Sequence, residues 1–223
     1  MGRWACVVAI IGAAARAGAS EPDCRGAPAE IPEAAIELQD GIQLEVERTP
    51  YTVRGSTAAA VRQDMTAKSD VEKPGEYDAT VKWNIHSAWL HDSRGPGGCV
   101  LVSPMVSLKL SYWFPSWEPP EAPSAELKAQ WAAYIDALQR HELGHRNVAV
   151  STANAILRAF QHGFRGPTCK EAEAEAAACI RGILAAHGDL NKRYDDVTGH
   201  GATQGALFGP KGSGRTRWLR PAH

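Results

Sequence analysis

Residues 124–161, SAELKAQWAAYIDALQRHELGHRNVAVSTANAILRAFQ, decide how the rest of the chain is read. Leu127, Trp131, Tyr134, Leu138, His141, His145, Val148, Thr152 and Ile156 recur at steps of three and four, which is one face of an α-helix. Ser124 precedes this run, and Gly163, Gly166 and Pro167 break it. Thr168 opens a second helix, with Glu171 three residues on completing a capping box, and alanine-rich sequence carries it past Leu184 to Tyr194. Regular structure is expected to end at Gly199-His200-Gly201.

Upstream the period changes to two. Ile42 to Val46 alternates apolar and polar residues as a strand does, and Tyr51-Thr52-Val53 reads as another, stopped by Gly55. Ser56 is placed to cap a short helix over Ala58, Val61 and Met65. After the Pro74-Gly75 turn, Ala79 to Trp89 sets Val81, Trp83 and Ile85 against Thr80, Lys82, Asn84 and His86. A glycine-rich loop at 95–98 leads to a returning strand, Val100 to Tyr112, so the two are most simply an antiparallel pair. The expected fold is α+β: a small, mainly antiparallel sheet packed against two long helices. Trp83, Trp89, Trp113 and Trp117 are expected in its core and rim.

Net charge is −1, so no whole-chain field points to nucleic acid or an anionic membrane. With 44% apolar and 22% charged residues the composition is that of a globular protein. Arg3, the apolar run Trp4 to Ala15 and the small residues Ala17-Gly18-Ala19 have the layout of a secretory signal, with cleavage expected after Ala19. Residues 20–41 read as a flexible lead-in, 42–208 as one domain and 209–223 as a flexible basic tail. No second apolar run reaches membrane-spanning length, and a secreted or periplasmic location follows. Once Cys6 leaves with the signal, Cys24, Cys99, Cys169 and Cys179 form an even set suited to two disulfides, in any of three pairings. No Cys-x-x-Cys pair suggests a thiolate metal site.

The chemistry lies in His141-Glu142-Leu143-Gly144-His145. Histidines four residues apart on a helix project from one face and can share a metal ion. Glu142 points about 100° round the axis and can reach a metal-bound water as general base. The same pattern on a solvated surface helix would do nothing, but here both imidazoles fall on the apolar stripe, where they need partners. His200 is the expected third ligand, its flanking glycines letting the backbone approach closely. Asp195 or Asp196 is the alternative ligand, or a group that orients a ligand histidine. Tyr194 is a candidate donor to the oxyanion, set against a packing role at the helix end. His86, His91, His162 and His187 lack comparable spacing and are expected to be structural or exposed.

Together these residues resemble the domain of unknown function 922 family, whose bacterial members are described as predicted secreted zinc-dependent proteases. The resemblance runs from about Gln43 to Phe208 and rests on Tyr51 to Gly55, the strand through Trp83, Cys99, Phe114-Pro115-Ser116-Trp117 and the His-Glu-Leu-Gly-His motif. It continues through Cys169, Tyr194-Asp195, Thr198, His200-Gly201 and Gln204-Gly205. It implies a zincin-like metallopeptidase domain, with His141, His145 and His200 as zinc ligands and Glu142 as catalyst. It also implies a Cys99–Cys169 pair, leaving Cys24 with Cys179. Cys179 and the basic tail depart from the family pattern. The expected function is zinc-dependent hydrolysis of amide bonds in a peptide or protein substrate. The alternatives are a non-catalytic metal-binding envelope module and a cell-wall amide hydrolase. No specificity pocket and no oligomeric state can be read from these residues.

Overall fold

The three alternating stretches become strands of one sheet in a computed structural model of the chain, which describes Cys24 and residues 26–68, 77–93, 95 and 98–209. The expected signal peptide, and the basic tail beyond Gly209, lie outside the described residues. Strand β1 is Ile42–Val53, β2 is Thr80–Asp92 and β3 is Cys99–Trp117, in the order β1-β3-β2. A two-residue strand β4, Arg165–Gly166, pairs with the start of β3. Helix α1 spans Ala58–Lys68, α2 Ala125–His162 and α3 Cys169–Thr198.

The sheet is mixed rather than mainly antiparallel. β2 and β3 form the expected antiparallel hairpin, but β1, a single strand where two were expected, runs parallel to β3 from Ile42↔Val106 to Val53↔Trp117. The cause is where α1 crosses. The end of β1 lies opposite Trp117 and the start of β2 opposite Trp113, so α1 joins the two edge strands at the same end of the sheet. β2 must then run against β1, and its hairpin partner runs with it. Thr57, not Ser56, caps α1: its hydroxyl accepts from Ala60 N–H at 3.2 Å. At this end Arg62 makes a paired contact with the Asp78 carboxylate at 2.6 and 2.7 Å, while Tyr134 donates to that carboxylate and Tyr51 to the Asp78 carbonyl. The start of β2 is thereby fixed against α2.

Both helix starts form as their sequences dictate. Ser124 accepts from Leu127 N–H, and Thr168 and Glu171 make the reciprocal capping box. α3 continues to Thr198, one turn past the expected end, before Gly199 closes it in the left-handed conformation. Disulfides join Cys99 to Cys169 and Cys24 to Cys179, the pairing the resemblance implied. No helix of the described residues is long and apolar enough to cross a membrane.

From Asn147 to Leu157 α2 is buried on almost every side, which an amphipathic helix against one sheet would not be. The sheet covers one face, α3 a second, and the segment expected as a flexible lead-in covers a third. Asn147, fully buried, donates to the carbonyls of Pro32 and Ala34 and accepts from Ile36 N–H, at 2.8–2.9 Å. Asn154 holds Gln39 and Glu37 in the same way, and Arg146 donates to the Ile36 carbonyl. The Pro-, Ala- and Glu-rich lead-in, 20–41, is expected to be flexible, but two buried carboxamides supply the backbone partners that order its residues 32–39. Replacing Asn147 by Ala is expected to destabilise the protein by about 2–3 kcal/mol, since buried carbonyls lose their donors. Urea unfolding measures that loss, and limited proteolysis should show residues 31–37 becoming the first cleavage site.

Candidate functional site

The stripe predicted for α2 is buried apart from the half-buried Trp131, and it splits the interior into two apolar clusters. Val53, Val61, Met65, Tyr134 and Leu138 lie on one side, and Leu108, Leu110, Ile156, Phe164 and Ile183 on the other. Between them, one turn of α2 buries His141, Glu142 and His145. α3 faces this turn with Asn191, Tyr194, Asp195 and Thr198, residues at steps of three and four on one helix face.

His141 Nε2 and His145 Nε2 are 3.2 Å apart, and Asp195 Oδ1 lies 3.3 and 3.1 Å from them. Among the described residues this His–His–Asp set is the group whose ligand atoms are close enough to hold one metal ion. His200, the expected third ligand, falls outside it. Its Nδ1 is 3.3 Å from Asp195 Oδ1, and its ring meets Tyr77 edge-on. The added turn of α3 explains this placement. Asp195 stays on the helix and faces α2, whereas His200 follows Gly199 with a positive φ of 53°. Asp196 points away and pairs with Lys192 at the exposed surface.

The hydrogen bonds behind the cluster place a proton on the far nitrogen of each ring. The His141 carbonyl can only accept, so the Tyr194 hydroxyl donates to it, at 3.1 Å. That hydroxyl then accepts from Gln204 Nε2, which turns Gln204 Oε1 toward His141 Nδ1 at 3.0 Å. His141 Nδ1 therefore carries a proton, and Nε2 is the nitrogen turned toward the cluster. Asn191 Oδ1 does the same for His145, 2.9 Å from Nδ1. The two Nε2 atoms and a carboxylate oxygen thus converge on one point, where each Nε2 can carry a proton toward Asp195 or, deprotonated, face a metal ion. A tetrahedral zinc ion, with bonds of about 2.0–2.1 Å, requires its donor atoms to be about 3.3 Å apart, and the three separations match. The donor set, two imidazoles and a carboxylate, is also one that zinc takes.

Glu142 faces β2 rather than the cluster's centre. Its carboxylate accepts from Val81 N–H, while Oε2 is buried with no hydrogen-bond partner. Burial pushes this carboxyl above its ordinary range, against the pull of the two histidines. Burial opposes ionisation of Asp195 too, but hydrogen bonds from His141, His145 and His200 prevail and hold it well below the usual range. For His145, burial favours the neutral ring, yet the hydrogen bond to Asp195 and the charges of Glu142 and Asp195 raise it to about 9. A cleft of about 300 Å³ opens in front, between Tyr77 to Lys82 and the three buried residues of α2.

Tyr194 does not line that cleft. Its ring stacks on His141 at 5.0 Å and meets His145 edge-on, so it braces both imidazoles. Gly144 makes this possible: a methyl there would coincide with the Tyr194 phenol. Gly201, at a φ of 84°, similarly lies where a Cβ would come within 3.1 Å of the His141 ring. Sequence reading missed Asn191 as a partner of His145 and the reason for Gly144. Asn191 stands four residues before Asp195 on the same face, a signal that spacing alone could have raised. Of the remaining histidines, His187 is buried and bonded to the Ile183 carbonyl, His91 pairs with Glu173, and His86 and His162 are exposed.

The fold and site define a mixed α+β protein with a buried His–His–Asp cluster between two helices. Over residues 48–201 the chain matches the family described as bacterial protein of unknown function (DUF922), and it belongs to that family. No curated protein and no solved structure matches it.

Gly144→Ala is expected to cost about 1–3 kcal/mol by overpacking against Tyr194, read as a lowered midpoint in urea. The raised His145 pKa gives a second expectation. In the metal-free chain its pairing with Asp195 stabilises the fold fully below the unfolded value near 6.5 and is lost as pH rises through about 9. A cation must displace that proton, so metal affinity measured by competition titration should rise about tenfold per pH unit from 7 to 9 and then level.

Proposed function

We propose that this protein is an exported zinc-dependent peptidase with a zincin-like site, in which His141, His145 and Asp195 hold the ion and Glu142 is the general base. One observation carries the reading: three electron-pair donors meet 3.1–3.3 Å apart beside a buried carboxylate oxygen that has no hydrogen-bond partner. Each is costly in a folded interior unless a cation and a water complete it. A divalent ion bound there supplies Lewis-acid polarisation of the scissile carbonyl and makes water more acidic.

The chain's own residues do the rest. Glu142 takes the proton of the attacking water at Oε2 and passes it to the leaving amine. Its raised affinity for protons suits a group that must accept one near neutral pH and then release it. Val81 N–H anchors the carboxylate, while Gln204 and Asn191 keep both ligand lone pairs aimed at the ion. β2 is an edge strand, and its first residues line the cleft, so an extended peptide can add to that edge with its carbonyl near the cluster. Two disulfides support an oxidising, extracellular or periplasmic setting.

The test pairs metal content with hydrolysis of a panel containing unfolded protein and peptidoglycan fragments. Glu142→Gln is expected to keep one ion per chain and lose about 10²–10⁴-fold in rate. Asp195→Ala should release the ion, and His200→Ala should retain it more weakly than the parent. A parent chain that binds no ion at neutral pH would sink the proposal. So would Glu142→Gln hydrolysing at the parent rate, which is the behaviour of a metal-binding module. Turnover of the peptidoglycan fragments alone would move the substrate to the cell wall.

A further inference from the structure

A second cavity, of about 460 Å³, opens on the other side of Glu142. It exists because α2 packs over β3 and β2 but leaves the middle of β1 uncovered. Leu44 and Val46 are 47% and 38% exposed, although their register partners Leu108 and Leu110 are fully buried. Further along the same face the uncovered strand carries Arg48 and Pro50, opposite Tyr112 and Phe114. The result is a trough with an aromatic floor between β1 and α2, with Glu142 at its inner end.

Its charge is one-sided. Arg48 lies over the Tyr112 ring, 5.3 Å from its centroid, and Arg146 reaches in from α2. Arg146 is held in place by the Ile36 carbonyl and Asn147 Oδ1. Among the described residues neither guanidinium pairs with a carboxylate, and Glu142 is the one acid lining the cavity.

Apolar walls with two unpaired guanidiniums at the rim match a side chain that has a methylene stem and a carboxylate head. Glu142 borders both cavities, so a peptide whose cleaved amide sits at Glu142 can drop a neighbouring side chain into the trough. We infer that the trough between β1 and α2 is a specificity pocket for an acidic side chain, chiefly glutamate, flanking the cleaved bond of a peptide substrate. This rests on the peptidase reading, and the experiment separates the two.

Capped hexapeptides of alanine and leucine, fluorescently labelled, carry a single Glu at each position in turn, with Gln and Lys counterparts. Anisotropy measures their binding to the zinc-supplemented Glu142→Gln chain, and cleavage is followed with the parent. At one position Glu should bind about tenfold tighter than Gln and Lys weakest, with the difference shrinking as salt rises. Arg48→Glu, on an exposed strand position, should abolish the preference for Glu and favour Lys. Equal binding of Glu, Gln and Lys at every position overturns the pocket, as does failure of any peptide to bind. A preference for a free C-terminal acid over its amide, with none for internal Glu, also overturns it. Cleavage by the parent without charge preference leaves the peptidase reading standing and removes the pocket; selective binding without cleavage does the reverse.

Discussion

Two imidazole nitrogens and a carboxylate oxygen are held within 3.1–3.3 Å of one another in the interior. In water such a group would fly apart or recruit protons; in a low-dielectric interior the repulsion is stronger still. The surrounding structure must therefore fix the geometry from behind. It does so with two carboxamides, Gln204 and Asn191, each accepting from the far nitrogen of one imidazole. In the metal-free chain a proton on His145 relieves one contact, which is why that ring's pKa is raised to about 9. One proton cannot relieve all three contacts, whereas a divalent cation at their centre can.

Two apolar clusters flank this polar turn of α2, and the closeness of α3 is what makes the arrangement rigid. Gly144 gives the Tyr194 ring room to lie on His141, and the chain's left-handed exit at Gly199 and Gly201 brings Gln204 back behind the same ring. On the opposite side Asn147 and Asn154 fasten residues 32–39 along α2. A helix buried on three sides cannot rotate to relieve strain in its histidines. The lead-in segment thus belongs to the site's foundations although it touches none of its ligands.

Much of this was legible because it is local. The three- and four-residue spacing of α2 placed His141 and His145 on one buried face, and the capping box at Thr168 and Glu171 located the start of α3. What failed depended on distance in the sequence. The direction of β1 is set by where α1 crosses the sheet end, and alternation says nothing about which strand lies beside which. The order in 26–41 depends on asparagines more than a hundred residues away. The placement of Asp195 between the two histidines, with His200 on its other side, turned on one more turn of α3. Asp195 was weighed from its position, but helix length in alanine-rich sequence is poorly marked until a glycine adopts the left-handed form.

The place of Glu142 follows from a plain property of helices. One residue after His141, it is rotated about 100° round the axis, which carries it off the α3-facing side and onto the side that meets the sheet. There it stands between the edge of β2 and the uncovered strip of β1, the wall shared by both cavities. Had the sheet been wholly antiparallel, with β1 outside the β2–β3 hairpin on the β2 side, that strip would not exist and the carboxylate would face a single cleft. The parallel β1 therefore does more than complete the sheet. It leaves Arg48 on an open strand beside the proposed base, so the strand direction that sequence reading missed is also what gives the site its second, positively charged compartment.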